Sequence, residues 1–473
     1  MKRLTTIEKS LYGLGFGARG IKDGLFQIFL FFYFERVLGL EPYLAGSASL
    51  LALAFDAISD PLVGYWSDQW KSDKWGRRHP FMFASALPLG IFTYLLFVPP
   101  TGLSQFELFA WMAIFTILVR VALTFHIVPG MSMGAELTTD YKERTSVTAY
   151  RIMFGALLAP IVMIIGFLFF FKKTVEIENG LFNQAAYPKF AFLCATLMVL
   201  SILISSLGTR NLIPLLQKPK ESQRKGDPHL FLQSIHEAIS MRSFVSLVLF
   251  VMMIFVGIGV GVVFSTYFGT FYFEFTAVEM AALPIGAAVG GVLALWLAPS
   301  LGDKLDKKKA ASWSTILFAS FFSLPFMLRM IGFFPENKTP SLLPIYVLTL
   351  ILAYWFLWVA LSLANSMMAD VIDEYELRYG KRQEGLFFAA LSFAFKCTNG
   401  LGSFIAGILM SWIALGKDAS PSSMSQESLE GLGMIGGPIL LGFYLSSILF
   451  ISYYPINKEK YLEIRAGLEG REV

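Results

Sequence analysis

The sequence predicts an all-α membrane protein: twelve transmembrane helices in two pseudo-symmetric six-helix halves. Three observations carry that prediction. The chain of 473 residues is 55% hydrophobic and 15% charged, with a mean hydropathy of +0.61, whereas a soluble domain is about a quarter charged. Apolar runs of crossing length, ~20 residues, follow one another from residue 12 to residue 455. The basic residues then fall in every second loop between them, the pattern of an alternating chain with its basic loops on the cytoplasmic side.

In order, the runs are 12–39, 43–68, 80–99, 105–136, 146–171, 188–208, 242–273, 278–300, 310–333, 341–370, 384–415 and 432–454. Lys2, Arg3 and Lys9 precede the first, which superficially resembles a signal peptide. Its length, internal charge and lack of a cleavage site identify it instead as the first crossing. Residues 209–241, including KPKESQRKGDPH, form the longest non-apolar stretch. They divide an N-terminal half (1–208) from a C-terminal half (242–455), with residues 456–473 as a tail. Lys71, Lys74, Arg77, Arg78, Lys142, Arg144, the region from Arg210 to Arg242, Lys304, Lys307 to Lys309, Arg378, Lys381 and Arg382 occupy alternate loops. Both termini and the central loop are therefore expected in the cytoplasm, in a cell membrane surrounded by lipid. Basic residues spread over short loops leave no nucleic-acid-binding face. Cys194 and Cys397 give neither a disulfide framework nor a metal spacing.

The halves echo each other. Gly64-x-x-x-Asp68 and Lys74-Trp75-Gly76-Arg77-Arg78 follow helix 2, and Gly302-Asp303-Lys304 with Asp306 to Lys309 follow helix 8. Glu136 and Arg144 after helix 4 correspond to Asp370 and Arg382 after helix 10. Two such halves are what the major facilitator superfamily looks like, with substrate bound near the midplane between them.

The chemistry concentrates in acids and bases placed where lipid would penalise them. Asp56 and Asp60 stand one turn apart on one face of helix 2 in LALAFDAISDPLVGYW, with side chains about 5–6 Å apart. A lone Asp at mid-bilayer costs roughly 2.5–3.5 kcal/mol, so the pair faces protein or water and shares a cation or proton. Pro61 frees a backbone carbonyl in the preceding turn as a further ligand. In helix 1, Asp23 follows Lys22 and lies one turn past Arg19. Two readings stand open: Asp23 pairs with those bases while they snorkel to headgroups, or it faces the cavity beside Asp56 and Asp60. Gly15-Phe-Gly17-Ala-Arg-Gly20 formally matches a dinucleotide motif, but with no strand before it the glycines read as close helix packing. Arg151 and Lys396 are cations inside spans and call for carboxylate partners; Arg120 reads as neutralising an interior acid, and His126 as a packed core histidine. Glu136, Asp370, Asp373 and Glu374 lie at helix ends, where pairing with Arg144, Arg378 and Arg382 would make an inner gate together with Asp68, Arg77 and Arg78. Asn337-Lys-Thr339 is a formal glycosylation sequon followed by proline. No catalytic triad, His/Cys ligand cluster or phosphate loop is present, which argues against an enzyme and against a bound cofactor.

The segments DAISDPLVGYWSD (56–68), KWGRRHPF (74–81), GAELTTDYKERTSVTAYR (134–151) and MADVIDEYELRYGKRQEGLFFAALSFAFK (368–396) resemble the glycoside–pentoside–hexuronide:cation symporters, the melibiose permease group of the major facilitator superfamily. The likeness runs through essentially the whole chain. It implies cation-coupled symport of a sugar, glycoside or uronide by alternating access, as a monomer, with Na⁺, H⁺ or Li⁺ as coupling ion. The resemblance assigns the ion to Asp56 and Asp60, with Asp23 and Ser392 nearby, and if the ion is sodium, Asp56 and Asp60 are its metal ligands. It assigns the solute to Lys22, Asp23, Arg151 and Lys396. Where melibiose permease has a sugar-binding Asp and Trp on helix 4, this sequence has Ile127 and Met131, a departure that bears on a galactoside substrate and not on the coupling site. The run ending TAYR also resembles the sodium-dependent lysophosphatidylcholine symporter, so a lysolipid or other amphiphile is the second solute class. A facilitator-fold sensor that binds without transporting is a third reading.

Overall fold

The computed structural model describes residues 4–70, 72, 75–138, 141–174, 177, 179–216, 228–304, 306–413 and 424–469; these are helical or irregular, with no strand among them. In chain order the helices are α1 (Thr6–Leu25), α2 (Pro42–Gln69), α3 (His79–Leu96), α4 (Gln105–Glu136), α5 (Tyr141–Ile165), α6 (Ala186–Gly208), α7 (Pro228–Ser240), α8 (Arg242–Tyr267), α9 (Ala277–Lys304), α10 (Lys307–Met330), α11 (Leu342–Tyr379), α12 (Glu384–Cys397), α13 (Ser403–Ile413), α14 (Gln426–Met434), α15 (Leu440–Ser452) and α16 (Lys458–Glu469). Wider π-type turns extend several of them, such as Phe26–Leu30 and Tyr33–Val37 after α1 and Thr398–Gly402 between α12 and α13. Among the described residues eleven helical segments are long and apolar enough to cross a membrane. The first helix is long enough to be the twelfth, but Arg19, Lys22, Asp23, Glu35 and Arg36 lower its hydropathy.

Helix starts follow local chemistry. Thr5 and Ser104 each accept a backbone N–H from the third helical residue, Glu8 or Glu107, whose carboxylate bonds back to the cap. Each box satisfies two N–H groups that the first turn leaves without helical partners. Asp306 caps α10 by accepting from Lys308 N (2.9 Å) and Lys309 N (3.4 Å).

The chain divides into two compact units, residues 1–223 with 276–281 and 403–411, and residues 224–275, 282–402 and 412–473. In the first, α1 packs on α5 and α6, α3 on α4 and α6, and α2 on α4. The glycines of α1 permit that packing. A Cβ on Gly20 would come within 2.4 Å of the Gly155 carbonyl oxygen in α5, and one on Gly15 within 2.7 Å of His126 Nε2 in α4. In the second unit α8 packs on α12 and α15, and α10 on α11 and α15.

The stretch 209–241, expected as a loop, holds a short helical turn (Arg210–Leu215) and α7. Glu237 of α7 meets Lys381 at 2.8 Å and accepts a 2.6 Å hydrogen bond from the Tyr375 hydroxyl, which ties α7 to the end of α11. The tail forms α16, also packed on α11.

Candidate functional site

Helices α2 and α4 lie side by side in one register: Glu41 N donates to Gln105 Oε1 (2.9 Å), Arg120 to Asp56, and Thr124 Oγ1 to Asp60 Oδ1 (2.9 Å). Each pair spans 64 residues, so successive contacts on α2 meet successive turns of α4. The two carboxylates one turn apart thus meet two different partners. Asp56 is 5% exposed and accepts both Arg120 Nε (3.0 Å) and Arg120 Nη2 at the single oxygen Oδ2. Asp60, half-buried, takes a neutral hydroxyl. Ser59 sits between them in sequence on the same face, and its hydroxyl oxygen is buried with no hydrogen-bond partner. Asp56, Ser59, Asp60 and Thr124 therefore gather two carboxylates and two hydroxyls, the hard oxygen ligands that small cations take. Ser59 and Thr124 were not singled out from sequence. The signal was present: Ser59 lies at i+3 from Asp56 and Thr124 at i+4 from Arg120.

Asp23 and Lys22 both lie within electrostatic reach of Arg120, a partner of Asp56. Asp23 pairs with Lys22 and meets Arg19 Nε at 3.6 Å, and Lys22 Nζ also lies 5.5 Å from the Phe26 ring centroid. Among the described residues no three His, Cys, Asp or Glu side chains converge as a metal-holding group. Arg151 of α5 lies over the Phe16 ring of α1, 5.6 Å from its centroid. His126 is fully buried, with its ring 5.7 Å from Phe16. Ile127 packs against the buried cluster that holds Tyr12 and Phe16, while Met131 is exposed. In the second unit Ser392 is exposed and Lys396 half-buried on the same face of α12, one turn apart.

The helix-end charges pair as expected at Asp373 and Glu374 and take other partners at Glu136 and Asp370. Glu136 reaches back to the start of α3, meeting Arg77 at 2.6 Å and Arg78 at 3.0 Å; the Arg144 side chain lies outside those described. Arg78 is 3% exposed and also binds Asp68 (2.5 Å) and Ser67 Oγ (2.8 Å). Asp370 makes the matching contact in the second unit, meeting Lys307 at the start of α10 at 2.7 Å. The repeat is thus an acid in the C-terminal part of one helix held by a base at the start of the preceding helix. Arg382 binds Asp373 (2.9 Å), Glu376 (2.6 Å) and Glu384 (2.7 Å), and Arg378 lies 3.6 Å from Glu374. The Asn337 amide donates to the Tyr272 carbonyl (3.3 Å) and to Glu274 (2.9 Å), so the sequon asparagine is engaged within the protein.

Known proteins resemble this chain along its length. It is 26% identical over 480 residues to the uncharacterized symporter YjmB of Bacillus subtilis, covering 99% of this chain and 96% of that one. It is 24% identical to the sodium-dependent lysophosphatidylcholine symporter 1 of Gallus gallus, covering 99% and 90%. It is 22% identical to the isoprimeverose transporter of Lactiplantibacillus pentosus, covering 95% and 89%. Among solved structures, the inward-open xylose transporter XylE from E. coli superposes with a TM-score of 0.61 at 13% identity, covering 98% of both chains; this likeness concerns the fold, and that fold is the twelve-helix facilitator one. The protein is a membrane-embedded cation-coupled symporter and not an enzyme. A family model described as MFS/sugar transport protein matches residues 11–458, and the chain belongs to that family.

Proposed function

We propose that this symporter carries a sugar, glycoside or uronide by alternating access, with its coupling cation at Asp56 and Asp60 of α2. The observation that carries the reading is the α2–α4 ladder: two carboxylates and the hydroxyls of Ser59 and Thr124, in a helix otherwise fit for lipid. Na⁺, Li⁺ and H⁺ are the candidate ions. Lys22, Asp23, Arg151 and Lys396 supply charged donors and acceptors suited to a hydroxyl-rich solute, with Ser392 one turn from Lys396. The isoprimeverose transporter supports a glycoside.

The two six-helix halves, 1–208 and 242–455, rock about the solute. Asp68, Arg77, Arg78 and Glu136, with Asp370, Arg378 and Arg382, form the gate on the cytoplasmic side, where Arg144 belongs by sequence. Both termini share that side, and the protein works as a monomer in a lipid bilayer of the cell membrane.

A lysolipid or other amphiphile is the second reading, favoured by apolar Ile127 and Met131 on α4 and by the lysophosphatidylcholine symporter relative. Thermal unfolding of the purified protein with sugars, uronides and lysolipids, each with and without Na⁺ or at lowered pH, separates the two. A ligand raises the unfolding temperature only by binding the folded state. Joint stabilisation by sugar and cation supports sugar symport; stabilisation by lysolipid alone moves the protein to the amphiphile class. Ligand binding without uptake by proteoliposomes identifies a sensor.

A further inference from the structure

Arg151 is a half-buried cation inside a membrane-crossing helix, where an unanswered charge is costly. The sequence calls for a carboxylate beside it, and the structure supplies an aromatic face. The guanidinium carbon lies 5.6 Å from the centroid of the Phe16 ring, and the Tyr12 hydroxyl stands within electrostatic reach. Among the described residues no carboxylate lies within ion-pairing distance of Arg151. The face of an aromatic ring carries partial negative charge, so it steadies a cation without engaging its N–H donors.

The ring itself is firmly held. Phe16 is 4% exposed; Tyr12 meets it edge-on at 5.3 Å, and the His126 ring lies 5.7 Å away. Tyr12 in turn donates its hydroxyl to the Gly130 carbonyl oxygen (3.1 Å). Phe16 and Tyr12 stand one turn apart on α1, as Gly130 and Gly134 do on α4. Each glycine makes room for one ring: a Cβ on Gly130 would come within 3.1 Å of Phe16 Cζ, and one on Gly134 would run into the Tyr12 hydroxyl. Two helices thus fix a ring against an arginine carried by a third.

We propose that Phe16 is a positioning residue for Arg151. Its ring, locked between α1 and α4, holds the guanidinium in place and leaves the N–H groups for hydroxyl or carboxylate oxygens of the solute. The proposal rests on the reading of Arg151 as a solute-binding group.

The test makes two measurements on the purified full-length protein. The first needs no solute. Phenylglyoxal reacts with the neutral guanidine, so a ring that favours the charged form slows the reaction at Arg151. Mass spectrometry of the digest reads Arg151, with buried Arg120 as internal control. Phenylalanine fluorinated at both meta carbons, placed at position 16, weakens the negative face and leaves the para carbon that meets Gly130 unchanged. It should speed modification of Arg151 at least about threefold and leave Arg120 unaffected. Phe16→Leu removes the face and should change Arg151 further in the same sense; if that variant does not fold, the fluorinated protein decides alone. An unchanged rate at Arg151 in the fluorinated protein overturns the proposal, and so does equal acceleration of both arginines, the mark of a role in packing only.

The second measurement is binding of methyl β-D-glucuronide and of methyl β-D-xyloside in the presence of Na⁺, followed by thermal unfolding. The fluorinated protein should bind whichever glycoside wild type binds at least about threefold more weakly. Equal affinity leaves the solute reading standing and removes the role of Phe16. If wild type binds neither glycoside, the sugar reading and the role of Phe16 fall together.

Discussion

The interiors of the two units are built on different terms. In the first, charged groups penetrate the helices and are answered there: Asp56 by Arg120, Asp60 by Thr124, Asp23 by Lys22 and Arg19. In the second, the described ion pairs gather at helix ends, such as Asp370 with Lys307 and Asp373 with Arg382. The heart of that unit is aromatic instead: Tyr444 packs on Phe318 at 4.6 Å and on Phe322 at 5.8 Å. A buried charge is kept against its desolvation cost either by pairing or by function. Among the described residues, the ion pairs inside helices thus belong to the first unit, and aromatic packing fills the interior of the second.

Substitutions that exchange the character of the two interiors give the largest effects. Replacing Arg120 by alanine leaves Asp56 buried beside a void and is expected to destabilise the protein by about 3–5 kcal/mol. Replacing Arg382, 43% exposed, should cost no more than about 1 kcal/mol. Unfolding in a denaturant series in detergent measures both, and equal costs would erase the contrast between interior and end networks.

Backbone packing sharpens the same comparison. Gly20→Ala drives a methyl group into the Gly155 carbonyl, and overpacking of that kind costs about 1–3 kcal/mol. Gly442→Ala in α15 meets nothing within 4 Å and should stabilise slightly, by up to about 1 kcal/mol, since alanine favours a helix. Yield of folded monomer on a sizing column reports both.

Much of this was legible in the residues, and the limits are instructive. The spacing of Asp56 and Asp60 placed both on one helix face, and the length of the apolar runs gave the crossings. Small residues at 15, 17 and 20 announced close packing, which Gly15 and Gly20 display. Which base answers which acid was not legible. Sequence proximity suggested Glu136 with Arg144 and Asp370 with Arg382, whereas the helix ends bring Arg77 and Arg78 to Glu136 and Lys307 to Asp370. Pairing across a bundle depends on helix order and tilt, which a local pattern does not encode. Ser59 and Thr124 escaped notice because hydroxyls are common in membrane helices and gain meaning only beside the carboxylates.

The smallest effect lies at the ends of the second unit. The hydrogen bonds from Lys381 and from the Tyr375 hydroxyl hold the Glu237 carboxyl below the ordinary glutamate value. A lowered acid contributes stability that is fully present above its unfolded value, about 4.3, and is lost as pH falls through the folded value. Glu237→Gln should therefore lower the unfolding temperature slightly at pH 7, flatten its slope against pH below about 4.3, and converge with wild type in acid. An unaltered slope would remove α7 from the network at the end of α11.

The most direct measurement of the central claim is solute accumulation in proteoliposomes under an imposed cation gradient, for wild type and Asp60→Asn, with the solute that the thermal panel selects. Wild type should concentrate the solute against its gradient. Asp60→Asn should still bind the solute and exchange it, and accumulate none. Accumulation by Asp60→Asn equal to wild type would contradict the assignment of the coupling cation to this face of α2.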